Sequence, residues 1–486
     1  MASKIARIGY HPDEGRQGPP AHACESPNGD LIMAIVSVNP ATGATIRAYN
    51  EMSPAEAAAA VEAAHRGWTS WRDRSFAERG RVLRRTAELL RSRKDELAEL
   101  MADEMGKPVK QGVSEAEKCA WVCEYYADNA EAQLAPDIVP TEATSTYVAF
   151  EPLGVVLAVM PWNFPLWQVY RFAAPALMAG NAAVLKHASN VPGCALVIEE
   201  IFHQAGLPDG TFRTLLIGNQ QVKAVIEHPL VRAVTLTGST PAGRAVAAQA
   251  GAVLKKTVLE LGGSDPYLIL DDADLALAVE TCVNARLINS GQSCIAAKRF
   301  IVVESVLDAF TDRFVAAMKM RKMGDPRAPD TDVGPQARGD LRDGLHKQVT
   351  ESVARGAKLL LGGEVPNGGG AFYPPSVLAE VRPGMPAFDE ELFGPVVAII
   401  RAEDEDDAVR LANQSVFGLG AAVFTRDLKR GEAVARRLDA GAVFVNAQVA
   451  SDPRLPFGGI KESGYGRELG SYGIREFVNI KTVHVG

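Results

Sequence analysis

The segment INSGQSCIAAKRF, residues 288–300, places one thiol among small and polar residues, with two cations directly behind it. The thiol is Cys294, and the cations are Lys298 and Arg299. A cysteine attacks electrophiles as its thiolate, so this segment could supply the nucleophile of a covalent mechanism. Free cysteine also packs often as a small buried apolar side chain. The segment alone favours packing, and a catalytic role for Cys294 requires partner residues elsewhere in the chain.

Two further motifs carry side chains that could act with this thiol. Asn163 lies in the turn PWNFP, where two prolines fix the backbone directly after an apolar run. Its amide could be aimed at a ligand, or it could satisfy backbone groups of its own turn. Glu260 ends the apolar run of VLELGGSDP. A carboxylate on a buried strand must be paired, hydrated or functional, so Glu260 is a second candidate.

Two loops have the composition of ligand-binding turns. GSTPAG, residues 238–243, follows an apolar run and opens a helix, so its N–H groups and the helix dipole could face an anion. It does not have the spacing GxGxxG, and an ordinary strand-to-helix turn explains it about as well. EELFGP, residues 390–395, is likewise either a ligand-binding loop or a capped turn.

These candidates fall at the ends of strands in a predicted α/β fold. Between residues 154 and 261 the apolar runs GVVLAVM, NAAVLK, TFRTLLIG, RAVTLTG and KKTVLEL alternate with helical segments, which predicts a parallel sheet covered by helices. A second alternation, through PYLIL, FIVV and VVAII, predicts another α/β domain. Ligands of such sheets bind beyond the carboxyl ends of the strands. The residues predicted at those ends are Asn163, Lys186, Gly218, Gly238 and Glu260.

The N-terminal third of the chain is predicted to be scaffolding. Residues 1–34 are largely aperiodic and rich in Gly, Pro, His and charge, which predicts a disordered tail or an upstream start codon. Ser53 with Glu56, and Ser75 with Glu78, have the spacing of capping boxes and predict two helix starts. The helical pattern then continues to the stop signal GKP at residues 106–108.

Composition excludes several classes of protein. The 486 residues are 47% hydrophobic and 23% charged, which is typical of a globular protein of two or three domains. The net charge of −8 and the scattered basic residues argue against nucleic acid as a partner. Six cysteines and no signal peptide predict a reducing, cytoplasmic setting, and no apolar run reaches the ~18 residues of a membrane span. Cys119 and Cys123 lack CxxC or HxxxH companions, so we expect no metal site.

Seven motifs occur in a characteristic order: PWNFP, VLK, GST followed by a glycine, LELGG, GQSC, EELFGP and PFGGIKESGYGRE. From about residue 39 to its C-terminus the chain therefore resembles the aldehyde dehydrogenase superfamily. WNFPLWQVYR, KHASN, GDPR and LRDGLHKQV most resemble its bacterial NAD(P)-dependent succinate-semialdehyde branch. The resemblance implies a modified Rossmann cofactor domain (35–140 and 159–261), an α/β catalytic domain (262–450), and a small β flap (141–158 and 472–486). In the family this flap pairs across subunits, which implies a homodimer or homotetramer.

The resemblance also assigns a mechanism. Cys294 attacks the aldehyde carbon, and the Asn163 amide with the Cys294 N–H stabilises the resulting oxyanion, where one such donor is typically worth ~3 kcal/mol. Hydride transfer to NAD or NADP leaves a thioester, which water activated by Glu260 hydrolyses to the acid. No metal is implied. The residues implied to bind the cofactor are Trp162, Lys186, Ser189, Gly238, Ser239, Gly243, Leu261, Glu391 and Phe393.

Substrate choice depends on positions where the chain departs from the succinate-semialdehyde pattern. Many members carry an arginine at the position of Ile288, where it holds the substrate carboxylate. Some members carry a second, redox-active cysteine at the position of Ala296. Strongly NAD-selective members often have glutamate at the position of Ser189. Arg171, in WNFPLWQVYR, and Arg454, just before PFGG, are the implied carboxylate anchors. These residues imply oxidation of succinate semialdehyde, with glutarate semialdehyde as the next choice.

Two other functions are compatible with the same fold. In a CoA-acylating member the thioester would pass to coenzyme A, but Glu260 argues against this because its task is to prepare water. A non-catalytic lens-type or scaffold protein could keep the fold without the activity. The joint presence of Cys294, Asn163, Glu260, Lys186 and Glu391 argues against that reading.

Overall fold

The computed structural model describes residues 23–25 and 31–486. Most of the predicted disordered tail, 1–34, lies outside the described residues, and within it β1 pairs antiparallel with β2. The first elements are β1 (Ala23–Glu25), β2 (Leu31–Val38), β3 (Thr45–Asn50), α1 (Pro54–Trp71), α2 (Phe76–Ser92), α3 (Lys94–Met105), α4 (Val109–Gln133) and β4 (Asp137–Ile138). Both predicted capping boxes are confirmed, at Ser53 and Ser75. The predicted helix stop at GKP is confirmed too, because α3 ends at Met105 and its C-cap residue, Gly106, has a φ of 77°.

A six-stranded sheet forms the first α/β unit. Its five predicted strands are all present, in the order β10-β9-β6-β7-β8, and they run parallel. Strands β6 and β7 are almost wholly buried, which is why their sequences are continuous apolar runs. The elements here are β5 (Ser145–Pro152), β6 (Val155–Met160), α5 (Trp167–Met178), β7 (Ala182–His187), α6 (Pro192–Gln204), β8 (Phe212–Thr214), α7 (Val222–Glu227), β9 (Val231–Thr237), α8 (Thr240–Ala252) and β10 (Lys256–Glu260).

A seven-stranded sheet forms the second unit, in the order β13-β14-β15-β12-β11-β17-β18, with only β13 antiparallel to its neighbour. PYLIL, FIVV and VVAII supply three of its adjacent parallel strands, as predicted. Its elements are β11 (Pro266–Ile269), α9 (Leu275–Leu287), β12 (Arg299–Val303), α10 (Leu307–Lys319), α11 (Gly339–Ala354), β13 (Lys358–Leu361), β14 (Ser376–Ala379), α12 (Pro386–Asp389), β15 (Val396–Ala402), α13 (Glu405–Asn413), β16 (Phe417–Gly418), β17 (Gly420–Phe424), α14 (Leu428–Ala435) and β18 (Ala442–Val445).

The C-terminal segment returns to both the first sheet and the predicted flap. It contains β19 (Ile460–Lys461), β20 (Gly464–Tyr465), α15 (Gly470–Ile474) and β21 (Val478–Val485). Strand β20 pairs with β10, and β21 pairs with β5 along its whole length. Strand β6 belongs to the six-stranded sheet, so the three-stranded flap sheet β21-β5-β4 ends before it, whereas the predicted flap extended to residue 158. Across the described residues, every helix is too short or too polar to traverse a lipid bilayer.

A buried histidine ties the end of β7 to the turn after β6. The Nδ1 atom of His187 accepts the N–H of Ala188 at 2.9 Å, so Nε2 carries the hydrogen and donates to the main-chain oxygen of Pro165 at 2.8 Å. Burial, with a smaller contribution from the nearby Lys186, lowers the pKa of His187 to about 4. The imidazole is therefore neutral in the folded protein, and it braces the turn that contains Asn163.

We expect His187 to make the protein sensitive to acid. A histidine whose pKa is depressed by folding contributes stability that is complete above its unfolded pKa of 6.5 and is lost as the pH falls toward 4. Between pH 7 and pH 5 this one group should remove about 2 kcal/mol from the free energy of unfolding. Urea unfolding at both pH values should show that loss in the wild type and a smaller loss in His187→Gln.

The matched control is His203→Gln, which changes an exposed histidine and should keep the wild-type pH dependence. An unchanged difference between pH 7 and pH 5 in His187→Gln would contradict the assignment.

Candidate active site

One cavity of about 460 Å³ brings together segments that are far apart in the chain. Its wall includes Cys294, Arg171 and the rings of Phe164, Trp167 and Phe457. A concave site with mainly apolar walls and a few polar groups is typical of small-molecule binding. The predicted nucleophile thus lies in the wall of a cavity suited to a small ligand.

The backbone before Cys294 passes through three consecutive residues with positive φ. Asn289, Ser290 and Gly291 have φ of 51°, 56° and 78°. This conformation costs an L-residue with a side chain roughly 1–2 kcal/mol. Gly291 is needed for a second reason, because a Cβ there would lie 2.2 Å from the main-chain oxygen of Gly394. Such a loop persists only where its surroundings hold it in place.

Hydrogen bonds of Asn289 keep this loop in place. Its side-chain Nδ2 donates to the main-chain oxygens of Asn163 at 2.6 Å and Gln292 at 3.0 Å, and its N–H donates to Oε1 of Gln111 at 2.6 Å. The loop is therefore bound both to the PWNFP turn and to helix α4. This arrangement brings the thiol segment against the turn that contains Asn163.

The Asn163 side chain itself points to the thiol segment. Its Nδ2 donates to the main-chain oxygen of Gln292 at 3.1 Å, two residues before Cys294. An amide has two N–H donors, and within the described residues this bond uses only one of them. Asn163 therefore does not serve its own turn, which was the alternative that the sequence left open.

A buried carboxylate fixes the start of α5, the helix after this turn. The Oε1 atom of Glu115 accepts the N–H groups of Leu166 and Trp167, both at 2.9 Å, where α5 has no side-chain cap of its own. Glu115 also pairs with the buried ammonium of Lys107. Because the cap comes from α4, the position of α5, with Arg171 on it, depends on α4.

Glu260 ends β10 and is 2% exposed. Within the described residues neither of its carboxyl oxygens has a hydrogen-bond partner. Burial raises the pKa of Glu260 well above its ordinary value; Arg171 opposes the rise and Glu468 adds to it. Space beside the carboxyl is kept by Gly458 of PFGG, where a Cβ would lie 2.6 Å from Oε1. A carboxyl group with a raised pKa and no fixed partner is suited to accept a proton.

The thiol is not activated in this state. Burial raises the pKa of Cys294 to about 12, and Arg171 and Lys298 only partly offset the rise. At neutral pH the sulfur therefore keeps its proton, and attack on a carbonyl requires a base or a change of charge around the site.

Lys298, which the sequence marked only as a cation behind the thiol, connects two loops. Its buried ammonium donates to the main-chain oxygens of Ser293 at 2.9 Å and Cys294 at 2.7 Å. The same ammonium lies 3.3 Å from Oε1 of Glu391, in the EELFGP loop. Lys298 thereby holds the nucleophile segment against the loop predicted to bind the nicotinamide ribose.

Most of the predicted cofactor residues lie at one edge of the six-stranded sheet, at or after the carboxyl ends of β6, β7, β9 and β10. Lys186 lies near the end of β7 and donates to Oδ1 of Asn219 at 2.8 Å, and burial lowers its pKa to about 8. Ser189 follows β7 and is exposed. Gly238 lies between β9 and α8, and its N–H donates to the main-chain oxygen of Glu260 at 2.9 Å. These positions agree with ligand binding at the carboxyl ends of parallel strands.

The same edge fits a cofactor with phosphate groups. Ser239 is the N-cap residue of α8 but makes no side-chain cap bond, so the first N–H groups of α8 remain open to an anion. Gly243 allows close packing against Leu261, because a Cβ there would lie 2.5 Å from that side chain. The ring of Trp162 meets that of Phe393 edge-on at 5.7 Å, beside Glu391.

Of the two predicted substrate arginines, only Arg171 lies in the cavity wall. Its guanidinium is ion-paired with the buried carboxylate of Glu468, donates to Oγ1 of Thr237 at 3.2 Å, and stacks over the ring of Phe457. Arg171 is therefore in place, but its charge is already balanced.

The structure does not bring Arg454 to the cavity. Its exposed guanidinium binds Asp452, two residues earlier, at 2.6 and 2.9 Å. It also lies 5.6 Å from the ring centre of Trp121. Ile288, which stands where many family members have an arginine, does line the cavity. Arg454 does not replace that arginine in this structure.

Sequence reasoning missed the cavity face of α4. Gln111, Ser114, Glu115 and Lys118 all line the cavity, at helical spacings of three and four residues. That period is visible in the sequence, but nothing there indicates which side of α4 meets the thiol. The Nζ atom of Lys118 donates to Oγ of Ser451 at 2.8 Å and lies 4.5 Å from the ring centre of Trp167.

Comparison with known proteins places this site in a family. Residues 29–483 match the model of the aldehyde dehydrogenase family. The chain is 50% identical over 453 residues to a probable succinate-semialdehyde dehydrogenase [NADP(+)] of Synechocystis sp., covering 93% of this chain and 100% of that protein. It is 49% identical over 448 residues to the succinate semialdehyde dehydrogenase [NAD(P)+] Sad of Escherichia coli, covering 92% and 97%.

A solved structure agrees with these relatives. The succinic semialdehyde dehydrogenase of Streptococcus pyogenes, in complex with NADP+, superposes with a TM-score of 0.91 at 37% identity, covering 93% of this chain and 99% of that chain. The fold class and the resemblance inferred from the motifs are confirmed. The chain belongs to the aldehyde dehydrogenase family.

Proposed function

We propose that the protein oxidises succinate semialdehyde, or a closely related short aldehyde bearing a carboxylate such as glutarate semialdehyde, to the acid. The observation that carries the proposal is the charge of the cavity around Cys294. Four cationic and two acidic side chains line it, so the formal balance favours an anionic substrate. The charged lining residues are Lys110, Lys118, Arg171, Arg321, Glu115 and Asp332. The similar proteins named as succinate-semialdehyde dehydrogenases support the same substrate.

The proposed mechanism starts from the neutral thiol of Cys294. Burial raises the pKa of Cys294 to about 12, so the thiol must lose its proton to solvent before its sulfur can attack. Attack on the aldehyde carbon places negative charge on oxygen, which the Asn163 amide and the Cys294 N–H stabilise. Glu260 later withdraws a proton from the water that hydrolyses the Cys294 thioester.

A nicotinamide cofactor, when bound, supplies the hydride acceptor. We assign its adenosine ribose to Lys186, with Ser189 beside it, and its pyrophosphate to the start of α8, with Gly238, Ser239 and Gly243. Glu391 and Phe393 would hold the nicotinamide ribose, while Trp162 and Leu261 would complete the walls. The relatives and the solved structure that name NADP support NADP or NAD as the cofactor.

The flap supports the proposal of a homodimer or homotetramer. Strand β21 has a strand neighbour on one side only within the described residues, and Ile480 on it is 64% exposed. An exposed edge strand with apolar side chains is suited to pair with a second chain. Five cysteines are unpaired, which supports the proposed reducing, cytoplasmic setting: Cys119, Cys123, Cys194, Cys282 and Cys294.

Cys294→Ala should abolish oxidation of succinate semialdehyde, because it removes the nucleophile and leaves the cofactor edge intact. Reduced cofactor is followed at 340 nm, and NADP binding is measured by calorimetry, where the Kd should stay within about threefold of the wild type. Cys282→Ala, a buried cysteine outside the cavity, is the control and should remain active. Near-normal turnover by Cys294→Ala would refute covalent catalysis.

Glu260→Gln should slow hydrolysis of the thioester, because glutamine cannot accept a proton. A rapid-mixing experiment should show a burst of reduced cofactor approaching one equivalent per site, followed by turnover at least about 100-fold slower than wild type. Glu432→Gln, an exposed carboxylate on α14, should show neither change. Parallel assays with and without coenzyme A test the acylating alternative, which requires stimulation by coenzyme A.

Ser189 should permit both cofactors, because it is neutral and exposed next to the predicted ribose site. Kinetics with NAD and NADP should give comparable efficiencies, and Ser189→Glu should lower kcat/KM for NADP at least about tenfold by repelling a 2′-phosphate. Ser189→Ala is the control. A wild-type NADP efficiency below about a thousandth of that for NAD, a gap of ~4 kcal/mol, would contradict the assignment.

A further inference from the structure

Most of the charged side chains in the cavity wall already have a partner of opposite charge. The paired groups are Arg171 with Glu468, Lys110 with Asp332 at 2.8 Å, and Glu115 with Lys107. A pair of opposite charges contributes little net field to an incoming anion. The cations left without a carboxylate within the described residues are Lys118 and Arg321.

Lys118 is the better placed of these two. Arg321 donates to Oδ1 of Asn284 at 3.1 Å in a contact exposed to solvent, where water screens its charge. The contact of Lys118 with Ser451 is partly buried, and one face of the ammonium lies over the ring of Trp167. An ammonium has three donors, and Ser451 accepts only one of them.

The surroundings make the charge of Lys118 expensive to maintain. Burial, with a smaller contribution from the neighbouring Arg171, lowers its pKa to about 8. A cation taken partly out of water without a counter-charge gains most when an anion binds beside it. The carboxylate of a substrate would supply that missing charge.

Helix α4 also connects Lys118 to the nucleophile. Gln111 binds the loop that precedes Cys294, and Lys118 lies seven residues further along the same helix face. Seven residues correspond to about 10 Å along the helix axis. Cys294 and Lys118 line the same cavity, so an aldehyde with its carbonyl at the thiol can direct its far end toward Lys118.

We propose that Lys118 is the specificity-determining cation of the cavity, and that its ammonium, beside the hydroxyl of Ser451, binds the distal carboxylate of the substrate. Arg171 lies in the same cavity wall and is already paired with the buried carboxylate of Glu468. The assignment rests on the proposed function, because it presumes an aldehyde that bears a carboxylate.

The test compares Lys118→Met and Lys118→Arg on succinate semialdehyde and on butanal, which lacks the carboxylate. Lys118→Met keeps the length of the side chain and removes its charge, so KM for succinate semialdehyde should rise about 30-fold or more. The kcat for that substrate and the KM for butanal should stay within about threefold of the wild type. Lys118→Arg should restore most of the affinity for the anionic substrate.

Two controls separate this charge from others nearby. Arg454→Ala removes an exposed cation outside the cavity, and Lys94→Met removes a cation of α3 that also lies outside it. Neither should change the preference for succinate semialdehyde. If Lys118→Met affects both substrates equally, or leaves the preference intact, the assignment of Lys118 is wrong.

The pH dependence gives a test that needs no variant. The ratio of kcat/KM for succinate semialdehyde to that for butanal should fall as the pH rises above about 8, because Lys118 then loses its charge. Ionisation of Cys294 affects both substrates and cancels in the ratio. The other charged or titratable groups near Lys118 are Arg171, Cys119, Asp452 and Glu115. Burial raises the pKa of Cys119 well above its ordinary value, and Arg454 lowers that of Asp452.

A ratio that is flat from pH 7 to pH 9.5 would overturn the assignment even if Lys118→Met failed to fold. Failure of the proposed function has a different signature, because the wild type itself would then show no preference for succinate semialdehyde over butanal.

Discussion

The hydrogen bonds of the Asn289 side chain are the contact on which the site depends. One amide group binds the main chain of both the PWNFP turn and the thiol segment, which come from different α/β units. Without this link, the left-handed backbone of residues 289–291 would have little reason to persist, since each such residue is intrinsically unfavourable. The link holds the turn that contains Asn163 against the segment that contains Cys294.

A second constraint is that the site is built from ionisable groups that have been removed from water. Each of them must be neutral, paired or bound to main-chain oxygens, and the structure uses all three solutions. Burial raises the pKa values of Cys294 and Glu260, which favours their neutral forms, Arg171 is paired, and Lys298 donates to two carbonyl oxygens. Chemistry at this site therefore requires the thiol of Cys294 to lose its proton first.

The sequence predicted well what depends on neighbouring residues. The strands around Asn163 and Glu260 follow from apolar runs, and the helix starts at Ser53 and Ser75 follow from the spacing of serine and glutamate. Contacts between distant segments could not be read in this way. Arg171 and Glu468 are 297 positions apart, so the arginine looked free in the sequence although its charge is balanced in the fold. Lys118 was overlooked because helical periodicity does not reveal what a helix face will meet.

The pairing of β20 with β10 has a consequence for how the chain is made. Gly464 and Tyr465 lie beside Glu260 and Leu259, and β21 completes its sheet with residues synthesised more than 300 positions earlier. A ribosome releases the N-terminal segments first, so the strand that carries Glu260 must wait for nearly the whole chain to emerge before it gains this neighbour. Until then the edge of β10 is exposed to other strands. Residues 464–485 thus join both sheets late in synthesis, although none of the proposed reactive groups lies among them.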